Sequence, residues 1–179
     1  MPFDENMIES ARALADKTFP RLTAFAPNVR VTNMANRPDV AGFYDPENKA
    51  VQLNRDASLN MNEQQLSGLI SLERSRGLFN SPLGKPFLDN FQLTPPQRQF
   101  WDKFYLSSSG DAPSNRDERD QILKATILSR LLVGDVLPNN APPLNESQMN
   151  VSNLVNSYAR MAFPNQPKSI QPMQKISGR

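Results

Sequence analysis

The sequence of 179 residues contains no cysteine and no histidine. Without thiols there are no disulfides and no cysteine chemistry. Without imidazoles there is no Ser-His-Asp triad, no Cys-His dyad and no ordinary histidine-held zinc centre. Acid–base work would fall to Asp, Glu, Lys or Tyr. An excess of one charge is also lacking: twenty basic residues face eighteen acidic ones, for a net charge of +2. Thirteen of the basic residues are Arg, scattered along the chain, so no dense basic tract marks a nucleic-acid site. No apolar run approaches the roughly 20 residues of a membrane span. The opening MPFDENMIES is acidic and polar, unlike a signal peptide. These absences predict a soluble protein made and kept in a reducing cytoplasm, or packaged from one, with no membrane partner and no cofactor.

Proline is abundant. Sixteen prolines cut the chain into short elements. Asp4 can cap a first helix to about Lys17, with Met7, Ile8, Ala11, Leu14 and Ala15 as its buried stripe. Asn28–Thr32 alternates Val29 and Val31 and reads as a strand. Val40–Tyr44 and Lys49–Asn54 read as a hairpin around Asp45-Pro46-Glu47-Asn48, with Asn48 suited to a left-handed bulge. Asn62 with Gln65 forms a capping box, Met61 and Leu66 a hydrophobic staple, and Leu66, Leu69, Ile70 and Glu73 follow on one side of the next helix.

The order of a Gly-Phe-Tyr-Asp-Pro strand, a strand ending in Leu53-Asn54 and then a helix resembles the phage-associated zincin-like domains, over roughly residues 5–77. In that family the helix carries His-Glu-x-x-His, a zinc site with a general-base Glu. The matching run here is Leu72-Glu73-Arg74-Ser75-Arg76. The Glu is kept, and Leu72 and Arg76 stand where the histidines would be. The resemblance thus implies a degenerate copy of the fold that has lost its metal, with Leu72, Glu73 and Arg76 as a vestigial site. Glu73 is then a structural residue, paired with Arg76 or Arg74 on its own helix.

Further along, Thr94-Pro95-Pro96-Gln97 starts a helix cleanly, with Phe100, Trp101, Phe104 and Tyr105 on one side. These aromatics read as core, with Trp101 buried against the next helix; a base-stacking platform is the competing reading. Ser114-Asn115-Arg116-Asp117 reads as another capping box, and the longest helix follows it to about Val133, ended by Gly134. Asp117, Glu118 and Asp120 at its start suit the helix dipole, with a divalent-cation site as the sharper alternative. Asp45 and Asp56 flank the second hairpin strand; as a carboxylate pair they would suit glycoside hydrolysis, but Asp45 is already explained by its turn.

The composition changes at Asp135. The remaining 45 residues are rich in Pro and Asn, and one segment, Asn145–Ala162, carries an amphipathic stripe of Val151, Leu154, Val155, Tyr158 and Met161. The tail beyond Pro164 carries Lys168, Lys175 and Arg179 and no acid. The sequence therefore predicts a mostly helical α+β domain, residues 1–134, with a small antiparallel sheet and packed helices. A partner-binding, extended C-terminal arm, residues 135–179, docks through its stripe and through Lys168 and Lys175. The expected function is a non-catalytic structural component of a phage particle or similar multi-subunit assembly, in a virion or a bacterial cytoplasm. Its partners are other protein subunits, in an oligomer or a hetero-complex. Three other classes stay open: a regulatory module binding a host protein, a DNA-packaging accessory protein, and a small Asp/Glu enzyme.

Overall fold

The structure, a computed structural model, describes residues 4–107 and 112–162. The element order among them is α1 (Glu5–Thr18), α2 (Pro20–Thr23), β1 (Asn28–Thr32), β2 (Gly42–Asp45), β3 (Ala50–Asn54), α3 (Arg55–Ser58), α4 (Glu63–Phe79), α5 (Lys85–Asn90), α6 (Pro95–Trp101), a π-helical turn (Asp102–Leu106), α7 (Arg116–Leu132) and α8 (Glu146–Arg160). It is the mostly helical α+β fold expected from the sequence, with Asp4, Asn62 and Thr94 capping helices as expected and Asn115, one residue after the expected Ser114, capping α7. Asp4 Oδ1 accepts from the backbone N–H groups of Asn6 and Met7 at 3.0 and 3.3 Å. Asn62 with Gln65, Thr94 with Gln97 and Asn145 with Gln148 close reciprocal capping boxes.

The sheet differs from the antiparallel one expected. The strand order is β1-β3-β2, and β1 runs parallel to β3 while β2 pairs with β3 antiparallel. The sheet is therefore mixed. β3 takes the centre because both of its faces can be buried. Val51 and Leu53 enter the core. On the other face Gln52 accepts from Thr32 Oγ1 at 2.7 Å, and Asn54 Nδ2 donates to Val40 O at 2.7 Å. The hairpin turn is held by Asp45, whose Oδ1 accepts from the amides of Glu47 and Asn48. The left-handed residue is Lys49, at φ 47°, one position after the expected Asn48.

Helix α4 is the wall between two cores. Its first half, with Leu66 and Ile70, packs with Ile8, Ala11 and Ala15 of α1 and with Val51 and Leu53. Its last turn, with Leu78 and Phe79, enters a second core built by α5, α6, α7 and α8 around Trp101, Phe91, Leu123, Ile127 and Leu128. Two buried polar devices pin these layers. Arg74 of α4, its side chain 1% exposed, donates to Asp16 Oδ1 at 2.7 Å and to Ala26 O at 2.9 Å. It therefore faces away from Glu73 and ties α4 to α1. The second device links two capping boxes. Gln97 and Gln148 each reach back to their own N-cap amide, and their side-chain amides also bond to each other at 2.9 and 2.6 Å.

That second link corrects the division at residue 134. Helix α8 does not hang on connectors: Val151, Val155 and Ala159 are buried in the same cluster as Trp101 and Leu128, and Tyr158 packs against it. Its stripe was read as a docking face because an amphipathic helix must bury one side. The covering surface is the chain's own α2, α5 and α7. Leu154 and Met161, 61% and 53% exposed, fall outside that contact. Lys168 and Lys175, and the tail that carries them, expected to be extended, lie outside the described residues.

Candidate functional site

Of the residues picked out by the zincin-like resemblance, Glu73 and Arg76 come together in a cleft of about 580 Å³ between the hairpin and α4. The helical spacing of three residues places both on one side of α4. The hairpin supplies the facing wall through Gly42, Phe43 and Tyr44, the loop before it supplies Asn36 and Arg37, and the π-helical turn brings Tyr105 over the end. The π turn breaks the spacing on which an α-helical reading of residues 94–107 depends. Among the aromatics there, Trp101 is wholly buried, Phe100 and Phe104 stack at 5.6 Å, and Tyr105 swings to α4. Phe100, Trp101 and Phe104 pack on one another, with Trp101 in the core as expected, and Tyr105 alone leaves the cluster.

Glu73 is 5% exposed. Arg76 Nε lies 3.1 Å from its Oε1, and Arg76 Nη2 donates to Tyr105 Oη at 3.2 Å. The arginine plane also sits 5.9 Å from the Tyr105 ring centroid. Burial pushes the Glu73 carboxyl above its ordinary value, opposed by the charge of Arg76 and by the backbone of Tyr44. Burial works to lower the Arg76 guanidinium, and the charge of Glu73 with Tyr105 more than offsets it.

The sign of the Glu73 shift has a measurable consequence. The folded chain holds this proton to higher pH than the unfolded chain does, so folding loses stability as pH rises from 4.5 through the folded value. Glu73→Gln keeps an acceptor for Arg76 and removes the titration. Its melting temperature should therefore gain on the parent's as pH rises from 4 to 8. A difference that stays constant across that window would contradict the assignment.

The zinc of the zincin-like family does not fit these residues. Leu72 has no donor atom and is half-buried on the helix. Arg76 sets a guanidinium beside the carboxylate where a cation ligand site would need a lone pair. Among the described residues no three acidic side chains converge as a metal-holding group. Asp120 is bound to Arg98 Nε at 2.9 Å, and Asp102 is paired with Arg119. Asp117 and Glu118 stay exposed at the start of α7. Asp45 is held in its turn, and Asp56 opens α3.

The sequence signal for the cleft was Glu73 with its hairpin. The contributions of Arg37 and Tyr105 were missed, because a loop and a π turn have no periodicity that would aim their side chains. No family model, no curated protein and no solved structure matches the chain.

Proposed function

We propose that this protein is a non-catalytic structural component of a multi-subunit assembly, of which a phage particle is the case suggested by the zincin-like resemblance. The observation that carries the reading is the Glu73–Arg76 pair. The one carboxylate in the place of a general base is buried, and an arginine three residues on neutralises it. A zincin Glu works by activating a metal-bound water, and the sequence has no histidine or cysteine to hold that metal.

Docking is assigned to what remains after α8 has been taken into the core. Leu154 and Met161 stand exposed on and just beyond α8. The tail that follows carries Lys168, Lys175 and Arg179 with no acid, which suits an acidic surface on a neighbouring subunit.

The non-catalytic half of the proposal is tested by metal analysis of the purified chain after incubation with excess zinc and exhaustive dialysis. The expected result is far less than one zinc per chain. A stoichiometric, tightly held zinc would sink the reading.

A further inference from the structure

The cleft between the hairpin and α4 has more hydrogen-bond donors than acceptors, and this imbalance specifies a ligand. A guanidinium presents five N–H groups. Arg76 directs Nε to Glu73 and one Nη2 N–H to Tyr105, which leaves three without an acceptor among the described residues. Arg37, on the opposite wall, has one ion-pair neighbour, Asp39 at 3.6 Å, and both side chains are more than half exposed. Such a pair is weak and readily exchanged. The side-chain amides of Asn36 and Asn80 line the same space and make no hydrogen bond among the described residues.

The charged lining is two guanidiniums against one carboxylate, and Asp39, beside Arg37, lies outside that lining. With Arg37 turned from Asp39 to a ligand, the lining balances a monoanion, and a phosphate dianion would leave an excess negative charge in a half-enclosed site. Beside the donors lies an apolar wall of Met34, Val40 and Phe43, with Phe43 42% exposed. The volume of about 580 Å³ falls within the range of small-ligand pockets, roughly 300–1,000 Å³.

The geometry points to this cleft as a binding site for a small organic carboxylate with an apolar or aromatic body, its carboxylate set between Arg37 and Arg76 and its body against Phe43. Planar guanidinium and planar carboxylate match in two parallel hydrogen bonds, which favours this anion over a spherical one. The site is independent of the assembly role and goes beyond it.

The test is a titration of the full chain, labelled with nitrogen-15, with 3-phenylpropanoate. The controls are 3-phenylpropanamide, which has the same body without the charge, and inorganic phosphate. The expected result is saturable shifts at the side-chain Nε of Arg76 and the amides of residues 42–44, with a Kd on the order of 1 mM or tighter for a ligand of this size. The amide should bind at least tenfold more weakly, as should phosphate. Arg37→Gln, at an exposed position that leaves Glu73 and Arg76 paired, should weaken 3-phenylpropanoate about tenfold, the effect of losing a charged hydrogen bond, while keeping the parent spectrum elsewhere. Phe43→Ser should weaken it as well. Absence of saturable shifts, equal binding of the amide, or unchanged binding by Arg37→Gln would each overturn the assignment.

Discussion

A chain cut after Gly134 should fail to fold. The cut removes α8, and with it Val151, Val155 and Ala159 from the larger core. Full burial of one such valine is worth about 1.5–3 kcal/mol. The cut also leaves the amide of Gln97, 1% exposed in the intact chain, without its partners Gln148 and Pro143. Exchanging such a hydrogen bond for one to water costs about 0.5–1.5 kcal/mol. Phe87, which packs on Tyr158 with ring centroids 5.9 Å apart, loses its cover too. Together these losses approach the whole stability of a domain, about 5–15 kcal/mol. A chain cut after Ala162 keeps every one of these contacts and should melt close to the parent. Circular dichroism and thermal melting of the two truncations decide the matter. A cooperative melt from residues 1–134 would show that α8 is an appendage after all.

The second large effect is at Trp101. It is wholly buried, edge-on to Phe100 at 5.4 Å and to Phe104 at 5.6 Å. Trp101→Ala should cost about 3–5 kcal/mol, the range for removing a large buried aromatic. Among the described residues its indole Nε1 has no acceptor, so the ring acts there by volume and not by hydrogen bonding. Trp101→Phe should accordingly cost clearly less than Trp101→Ala, because no bond is lost and only part of the volume. Denaturant melts of the three proteins test this. A loss under about 0.5 kcal/mol for Trp101→Ala, an ordinary surface effect, would place the residue at an exposed contact.

The local grammar of this fold was legible in the sequence, and the reason is physical. A side-chain cap needs a short polar residue and its partner three positions on, and both lie within one turn. Asp4, Asn62 and Thr94 therefore mark helix starts that the structure repeats; at α7 the cap is Asn115, one residue after the expected Ser114, and the Asn145 box of α8 was not anticipated. Gly134 likewise adopts the positive φ, 78°, that the end of α7 needs. The strand Asn28–Thr32 was readable to the residue, but its direction beside β3 was not. Alternation fixes which face is buried and says nothing about which neighbour is paired.

Long-range choices were the illegible part. Arg74 and Arg76 look equivalent as partners of Glu73, and only the position of Asp16 on α1 decides that Arg74 turns the other way. The stripe on α8 was correctly read as a face that must be covered. Whether the chain covers it itself depends on α2, α5 and α7, two of which are too short to announce themselves by periodicity. Within the candidate site, Glu73 and Arg76 were legible as a pair, and the cleft that they floor was not. Its other wall comes from residues 36–44, and their approach depends on the sheet order.

The most direct test of the proposed assembly role is the mass of whatever complex the chain is recovered in. The full chain and the chain ending at Ala162 should each be recovered by tag from the native source, and the intact complexes weighed. The account predicts that the full chain is recovered in a complex of several subunits, and that the shorter chain, folded but without Lys168, Lys175 and Arg179, is recovered alone. Recovery of the full chain as a single unaccompanied polypeptide would contradict it.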